Sequence, residues 1–371
     1  MPQSFPGKRS HKETNQIRVF LALRESSPLT KNDLCRHLNL SRPTVDVAIR
    51  RLMTSNLVVR SGQGPSQGGR RAILYAFNGQ ANYAIGGDLE IPELNLALCG
   101  LDGTPGLEKE SLVPTDLLPD PRKTLAFVTR SIRTLAEEAG ISLGRVVGLG
   151  LGAPARLDGD TITFPGDTLP RWKGIPARAM LEQSLGIPVF IDNDVNYMAL
   201  AENHATDDSV PVMSYIALRK GLRHELRLGA SALVEGRIFR GGNGNAVWLE
   251  HAYAPLPATD SPADKPIHLS AKALLEIVGE FISPILQMIR MFDPNKLVIN
   301  AVVLGRAEAP FVKQIKTGLK AKLGRECANS ITVVPAQDRQ CSGAKGGALA
   351  VLHDLFSRPN GLIEGLATPS T

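Results

Sequence analysis

The side chains with the clearest chemical potential lie in the basic segment 29–52, LTKNDLCRHLNLSRPTVDVAIRRL. Helical spacing puts Arg42, Thr44, Val47 and Arg50 away from the face that carries the apolar repeat. Guanidinium and hydroxyl groups presented in this way can donate hydrogen bonds to phosphates and to base edges in a major groove. We therefore expect this segment to bind DNA, with Ser41 contacting a phosphate.

Two short helices joined by a tight turn must position these side chains. Leu34 and Leu38 mark the buried stripe of the first helix. Ser41 is expected to cap the second helix through its hydroxyl, and Pro43 fits the first turn, where no N–H is needed. The core face of the second helix follows the i, i+3, i+4, i+7 spacing: Val45, Ala48, Ile49 and Leu52. An ordinary helical hairpin inside a larger core is the alternative interpretation.

A β-hairpin is predicted directly after the second helix. Apolar runs at 57–60 and 72–77 flank a tip, 61–69, that is rich in Gly, Gln and Ser. Arg70 and Arg71 follow the tip, and we expect both to contact DNA as part of a wing. The helices and the hairpin together favour a winged DNA-binding module.

The distribution of charge agrees with this interpretation. Residues 1–79 contain 13 Lys and Arg against 4 Asp and Glu, whereas the whole chain has a net charge of only +6. The basic excess is thus confined to the module that is expected to meet phosphate.

Composition indicates a globular protein of the reducing cytoplasm. Hydrophobic residues make up 43% of the chain, and no apolar run approaches the roughly 18–20 residues that span a bilayer. Residues 1–14 lack the apolar core of a signal peptide. The cysteines have neither disulfide nor metal spacing: Cys35, Cys99, Cys327 and Cys341.

Short apolar strands alternate with helices after the winged module, which predicts an α/β domain with mixed sheets. We place the winged helix-turn-helix at 1–80 and the second domain at 81–371, with lobes at approximately 81–200 and 201–355 and a disordered tail at 358–371. The predicted strands are 84–89, 94–98, 146–151, 189–191, 213–218, 230–234 and 297–299. The predicted helices are 14–24, 125–139, 177–185, 271–292 and 310–323.

Several segments resemble the ROK family of repressors, open reading frames and sugar kinases, in its subgroup with an N-terminal winged helix-turn-helix. The segments are SRPTV, AIGGDLEIPELNLALCGLDG, GLGLGAP, IPVFIDNDVNYMALAE, GRIFRGGNGNAVWLEH and SGAKGGALA. They cover essentially the whole chain. The resemblance implies a two-lobed actin-like, ribonuclease H-like ATPase fold with a sugar cleft between the lobes. Kinase members transfer a phosphate from ATP to a hexose hydroxyl.

The resemblance also implies roles for single residues in the cleft. Asp194 matches the catalytic aspartate of family kinases, and Asn193 matches the residue that hydrogen-bonds sugar hydroxyls. Asp194 could instead simply cap the following helix. His251 matches a family histidine, whereas Trp248 stands where a sugar-binding Glu is expected. The Trp248 ring would either stack on a sugar face or close the pocket.

The phosphate-binding turns of family kinases are altered in this sequence. Asp88 is followed by LEIP instead of a Gly-rich turn, so Glu90 would repel a polyphosphate and Pro92 offers no N–H. The second turn reads RKGLRH at 219–224, a basic loop that is either solvated or suited to an anionic ligand, and Asn300 and Ala301 replace a glycine pair. We therefore expect no kinase activity, with Asp194 as a vestigial base.

The zinc site of the family is not expected either, and we predict no cofactor. Zinc needs three or four ligands, and the sequence holds no cysteine between Cys99 and Cys327 to join His251. A lone histidine is more often a structural residue than a metal ligand.

Together these observations predict a DNA-binding repressor of a carbohydrate uptake or catabolism operon. Its partners would be a palindromic double-stranded operator, a sugar-like effector bound by Asn193, Asp194, Trp248 and His251, and one or three further copies of the chain. Two alternatives stay open. One is an active sugar kinase with a regulatory DNA module; the other is an effector-independent DNA-binding protein whose second domain only oligomerises.

Overall fold

The computed structural model describes residues 11–64, 71–90, 92–158, 161–164, 169, 171–206, 210–221, 225–244, 246–247, 249, 253–256, 269–324, 326, 329–338, 341–358 and 366. Within these residues the strands form a three-stranded sheet near the N-terminus, a five-stranded and a six-stranded sheet, and a short two-stranded ribbon. No helix among the described residues combines the length and apolar character needed to cross a membrane.

A winged helix occupies the N-terminal part of the chain. Its elements are α1 His11–Ser26, β1 Leu29–Thr30, α2 Lys31–Leu38, α3 Arg42–Thr54, β2 Val58–Gln63 and β3 Ile73–Phe77. The sheet order is β1-β3-β2, with antiparallel pairing throughout. The predicted core positions of α3 are all buried, as are Ile17, Phe20 and Leu34. The predicted helix-turn-helix and the two wing strands are therefore observed.

Local sequence explains where α2 begins and ends. Thr30 Oγ1 accepts a hydrogen bond from the Asp33 amide at 3.2 Å, and Asp33 Oδ2 accepts one from the Thr30 amide at 3.0 Å. This capping box satisfies two amides that the helix cannot pair internally. Asn39 ends the helix with φ of 51°, a left-handed conformation that asparagine tolerates.

The expected hydroxyl cap of α3 is not observed. Ser41 has the extended backbone of a capping residue, but its side chain caps no amide and lies 2.8 Å from Thr44 Oγ1. Pro43 explains part of this, because it occupies the first turn as predicted and removes one of the two amides that such a cap could reach. At the start of α3 the hydroxyl groups of Ser41 and Thr44 are therefore hydrogen-bonded to each other.

The first lobe is built on the five-stranded sheet, with order β10-β7-β4-β5-β6. Strands β4, β5 and β6 pair antiparallel, and β7 runs parallel to both β4 and β10. Helices α4 and α5 cover a core that includes Val128, Leu149 and the fully buried Trp172. The elements are β4 Tyr83–Glu90, β5 Glu93–Gly100, β6 Pro105–Leu112, α4 Pro121–Glu138, β7 Val146–Ala153, β8 Arg156–Asp158, β9 Thr161–Phe164, α5 Ala177–Leu185, β10 Val189–Asn193 and α6 Asp194–Ala205.

The second lobe is built on the six-stranded sheet, with order β13-β12-β11-β15-β16 and β14 paired to β12. Helices α7 and α8 pack on it around Phe281, Phe311 and their neighbours. The elements are β11 Val212–Lys220, β12 Glu225–Val234, β13 Arg237–Ile238, β14 Tyr253–Pro255, α7 Ala271–Phe292, β15 Lys296–Asn300, α8 Glu308–Leu323, β16 Thr332–Pro335 and α9 Ser342–Ser357.

Helix α9 returns to the first lobe through its glycines. A Cβ at Gly346 would lie 1.6 Å from the Tyr197 carbonyl oxygen of α6, and one at Gly347 would lie 2.3 Å from the Gly150 oxygen of β7. Only residues without a side chain allow the backbones to come this close. The segment SGAKGGALA thus reflects close packing at the base of the cleft.

The far end of α9 contacts the winged helix. Phe356 lies 6.3 Å from Phe20 between ring centroids, and the Arg24 guanidinium lies 3.7 Å from the centroid of the Phe356 ring. Val351 and Leu352 belong to the same hydrophobic cluster as the core of α1 and α3. The winged helix and the first lobe therefore share one hydrophobic core and are not connected through a linker alone.

All predicted strands and helices are observed, with ends that shift by a few residues, but α9 was not predicted and α6 was expected only as an unbounded helix that Asp194 could cap. The strands that were not predicted are β1, β6, β8, β9, β13, β14 and β16. Residues 194–202 of α6 are all buried, so the helix lacks the polar face on which periodicity depends. The expectation of a disordered tail is wrong for Leu366, which is 4% exposed and joins the cluster of the winged helix. Residues 359–365 and 367–371 of the predicted tail lie outside the described residues.

Candidate functional site

The predicted DNA-reading side chains lie on the outer surface of α3. Val47 is 40% exposed and the Arg42 side chain 53% exposed. Arg50 is exposed and Thr44 partly buried beside Ser41. Because the opposite face is filled by the core, α3 presents one polar, basic surface.

Arg42 is already held in place by neighbouring polar groups. It donates from Nη1 to Asn32 Oδ1 of α2, and its Nε lies 3.5 Å from Asp46 Oδ1 one turn along α3. Lys31 Nζ lies 2.7 Å from the same carboxylate oxygen. The Lys31 ammonium beside it holds the pKa of Asp46 below its usual range. These contacts fix α2 against α3 and limit the conformations of Arg42.

Arg42 and the wing meet at one groove. A cavity of about 240 Å³ is lined by residues at the start of α2, by Arg42, and by Arg71 and its neighbours in the wing. Arg71 is exposed there, whereas Arg70 lies outside the described residues. Tertiary structure thus brings one predicted wing arginine to the same basic surface as Arg42.

A second cavity, of about 180 Å³, lies between the two lobes. Asn193 from the end of β10 lines it, as do residues of the loop after β13 that include Asn243. Asn193 Oδ1 also accepts a hydrogen bond from the Val195 amide at 3.1 Å and so caps α6. A cavity of this size is small compared with typical drug-sized pockets, so its dimensions favour a single small polar molecule.

Polar groups that the sequence did not single out line the same cavity. Asp192 is 5% exposed; its carboxylate accepts from Asn196 Nδ2 at 2.9 Å and lies 2.5 Å from Arg240 Nη1. Asn196 Oδ1 in turn lies 2.8 Å from Ser231 Oγ. Asp192 lies in β10 and Asn196 in the first turn of α6, so their contact crosses a strand–helix junction that no periodicity in IDNDVN indicates.

Asp194 turns away from this cavity, although it follows Asn193 directly. Its Oδ2 lies 3.0 Å from Nη2 of Arg219, at the end of β11 in the second lobe. The same Nη2 lies 3.3 Å from Asp88 Oδ2, and Arg219 Nη1 contacts Glu90. One guanidinium from the second lobe therefore bridges three carboxylates of the first. We call Asp88, Glu90, Asp194 and Arg219 the cleft cluster.

The cleft cluster carries more negative than positive charge. Burial raises the pKa of Asp88 to about 6 and that of Glu90 to about 8, although Arg219 opposes both shifts. Burial lowers the pKa of Arg219, but its three carboxylate partners outweigh this and raise it well above its ordinary value. One cation cannot neutralise three carboxylates, so the cluster retains a proton near neutral pH.

These contacts correct the expectation for the basic loop at 219–224. Arg219 is neither solvated nor free for an anionic ligand, since its side chain is only 21% exposed and its partners come from the protein itself. Lys220 is partly buried, and residues 222–224 lie outside the described residues. The other altered turn is also internal: Asn300 Nδ2 donates to the buried Tyr215 hydroxyl at 3.0 Å.

Two predicted effector residues, Trp248 and His251, lie outside the described residues. Within the described part of the chain, no group of three or more His, Cys, Asp or Glu is arranged to hold a metal ion.

Two family models match the chain. The ROK family model matches residues 93–267, and the MarR family model matches residues 13–72. Similar curated proteins include the xylose repressor of Bacillus subtilis (strain 168), 25% identical over 242 residues that make up 65% of this chain and 60% of the repressor. The N-acetyl-D-glucosamine kinase of Vibrio vulnificus (strain YJ016) is 33% identical over 153 residues, 41% of this chain and 48% of the kinase. The chain thus spans about 60% of the length of the curated repressors it matches.

Solved structures share the fold over a longer stretch. A ROK family transcriptional regulator, a homolog of the E. coli MLC protein, has a TM-score of 0.67 at 18% identity and covers 96% of this chain and 99% of its own. The ROK hexokinase from Thermus thermophilus has a TM-score of 0.57 at 18% identity, with 74% and 99% covered. At these identities the likeness concerns the fold alone. It confirms the predicted class, a winged helix followed by a two-lobed, actin-like α/β domain.

Proposed function

Because the chain combines a ROK-family domain with an N-terminal MarR-type winged helix, we propose that it is a transcriptional repressor that responds to a sugar. The observation that carries this proposal is the basic surface of α3, where Arg42 and the wing residue Arg71 line one groove. The sequence similarity to xylose repressors supports a role in carbohydrate uptake or catabolism.

The DNA partner is a double-stranded operator. Ser41, Arg42, Thr44, Val47 and Arg50 would enter or flank the major groove, with Arg70 and Arg71 following the backbone from the wing. Two copies of the module on a symmetric homodimer or homotetramer would require a palindromic site with half-sites about one helical turn, or a multiple of it, apart.

Replacing Arg42 with alanine should weaken operator binding by about 1–3 kcal/mol, the value of a good arginine–base contact. Genome-wide mapping of bound sites would supply the operator, and fluorescence anisotropy would measure affinity. Lys12→Ala is the matched control, since it removes one positive charge from α1 of the same module. Equal affinity of wild type and a folded Arg42→Ala protein would remove Arg42 from the reading surface.

The effector is a monosaccharide or close derivative in the cavity between the lobes. Asn193 and Asp192 offer the mix of donor and acceptor groups that hydroxyl groups require, and Arg240 and Asn243 add further donors. Trp248 and His251 belong to the same proposed site on the strength of the family resemblance. Asp194 contributes indirectly, because Arg219 holds it in the cleft cluster.

A panel of monosaccharides should contain at least one that raises the melting temperature of the wild type. Asn193→Ser keeps an oxygen that can cap α6 but shortens the side chain, so the sugar concentration needed for the same shift should rise by about tenfold. Asn203→Ser on the same helix is the control. Equal shifts in wild type and Asn193→Ser would exclude Asn193 from the site; no shift with any sugar would favour the effector-independent alternative.

We also propose that the chain transfers no phosphate. A base must accept a proton from the attacking hydroxyl, but Asp194 is already paired with Arg219. Glu90, paired with Arg219, places a carboxyl side chain where polyphosphate would approach, and Pro92 removes an amide there. Incubation with ATP, magnesium and a hexose panel should consume no ATP above the background without hexose. Hexose-dependent consumption would restore the kinase alternative.

We further propose that the chain divides into a winged helix at 1–80 and a second domain at 81–371, with lobes at approximately 81–200 and 201–355. The hydrophobic cluster shared by α1, α3 and α9 predicts that the winged helix and first lobe unfold together rather than in two steps.

A further inference from the structure

A third cavity lies where the winged helix, both lobes and α9 meet. Its volume is about 300 Å³, larger than that of the cavity between the lobes. Arg24 lines it from α1, Asp102 and Gly103 from the turn after β5, and Gly236 from the turn after β12. Residues of α6 and α9 complete the lining, so the cavity exists only while these parts are assembled.

The cavity combines an apolar floor with polar side chains. Leucines at positions 101, 200, 349 and 352 line it. Asn203, which is partly buried, and the exposed His204 and His353 add polar side chains to the lining. The imidazole of His204 lies beside the turn after β5, since a Cβ at Gly103 would be 2.9 Å from its Nε2. Polar groups that converge on a concave apolar site are typical of small-molecule sites.

The available groups are mainly donors. The Arg24 guanidinium, stacked on the Phe356 ring, is always charged, and each imidazole offers an N–H even when neutral. Asp102 is the carboxylate in the lining, and its Oδ1 already accepts a hydrogen bond from the Thr104 amide at 3.0 Å. Burial lowers the pKa of His353, and the nearby positive charges of Arg237 and Arg24 lower it further. The cavity therefore favours a negatively charged ligand.

We propose that this junction cavity binds a small organic anion, with a phosphate or carboxylate group on Arg24, His204 and His353 and an apolar part on the leucines. The site is distinct from the sugar cavity, because the linings of the two cavities have no residue in common. The proposal therefore does not depend on a sugar effector.

A ligand bound in this cavity would stabilise the docking of the winged helix against the second domain. Arg24 belongs to the winged helix and the other ligand contacts to the second domain, so a ligand that needs both binds the docked arrangement in preference to any other. Because the ligand binds the docked arrangement more tightly, it must shift the equilibrium between docked and undocked winged helix towards the docked state. The orientation of α3 relative to the lobes would thereby respond to the anion.

Isothermal titration calorimetry of the full chain with inorganic phosphate and, separately, with citrate tests the proposal and distinguishes the two anionic groups. We expect saturable binding of at least one probe, weakened about tenfold in Arg24→Gln and in His353→Gln, because a hydrogen bond to a charged group is lost. Lys12→Gln on α1 is the matched charge control and Asn193→Ser the control for the sugar cavity; both should bind as the wild type does.

Hydrogen exchange provides the second measurement. The bound probe should slow exchange in α1 and at the end of α9 but leave α7 unchanged. His204→Gln, at an exposed position, serves if Arg24→Gln does not fold. Absence of saturable binding by both probes, or equal affinities of wild type and the three cavity variants, would overturn the proposal.

Discussion

Replacing Arg219 with alanine should lower the free energy of unfolding by about 3–5 kcal/mol, the usual cost of removing one partner from a buried ion pair. Asp88 and Asp194 are nearly inaccessible to solvent, so their charges lose their compensation without gaining hydration. Urea unfolding at pH 7.5 measures the effect. Arg178→Ala is the matched control, because the Arg178–Glu182 pair is more than one-third exposed and should contribute no more than about 1 kcal/mol.

A rescue variant separates charge from packing. If uncompensated carboxylates cause the loss, Arg219→Met combined with Asp88→Asn, Glu90→Gln and Asp194→Asn should recover most of the stability, since neutral groups of the same shape remove the repulsion. A combined variant as unstable as Arg219→Ala would show that the guanidinium acts through packing or specific hydrogen bonds instead.

The cleft cluster also predicts a pH dependence. The pKa values of Asp88 and Glu90, about 6 and about 8 in the folded protein, lie above the ordinary values of the unfolded chain. The folded state therefore holds protons that the unfolded state has released. The resulting stability is complete below the unfolded pKa values and is lost as pH rises through about 6 and 8. Glu90→Gln should flatten this decline, and Arg219→Ala should be least harmful at pH 5.

Replacing Gly346 with alanine should lower the free energy of unfolding by about 3 kcal/mol or more, because the new methyl group would strike the backbone of α6. The Cβ would lie 1.6 Å from the Tyr197 carbonyl oxygen and 2.3 Å from its carbonyl carbon. Backbone atoms cannot rotate away as a flexible side chain can. Helix α9 would have to shift, and with it the packing between the cleft and the winged helix.

Gly279→Ala provides a control with the opposite expected sign. Gly279 lies inside α7, is exposed, and has open space where a Cβ would sit. Alanine there should raise the free energy of unfolding by about 0.5–1 kcal/mol through helix propensity. Thermal and urea unfolding of both variants would measure the contrast. Similar stability changes in the two proteins would contradict the close packing of α9.

The winged helix was predictable because its signals are local. The apolar spacing of Val45, Ala48, Ile49 and Leu52 is enough to define the buried face of α3, and the exposure of Arg42 and Val47 follows from it. The family resemblance extended this to the fold of the second domain. Hydrophobic periodicity is sufficient to predict a helix when one face is buried and the other is exposed to solvent.

Hydrophobic periodicity did not predict the helices that have no solvent-exposed face. Helix α6 is buried over most of its length, and the first half of α9 packs through glycines, so neither has an amphipathic repeat. Their positions depend on close backbone contacts, α9 with α6 and α9 with β7, between segments far apart in the chain. No local pattern in the sequence predicts such contacts.

Local patterns and motifs were sufficient to predict that a basic, winged module precedes a two-lobed α/β domain and that Asn193 and Asp194 stand at the end of a strand. Folding in three dimensions makes these neighbours diverge, Asn193 towards the cavity and Asp194 towards Arg219. The strand ends and α6 begins between the two residues, so their side chains leave the backbone in different directions. Likewise, Arg219 belongs to a basic loop in the sequence, but folding brings Asp88 and Glu90 from the other lobe against it. The charges that surround a residue depend on contacts between distant parts of the chain, and these contacts leave no local signal.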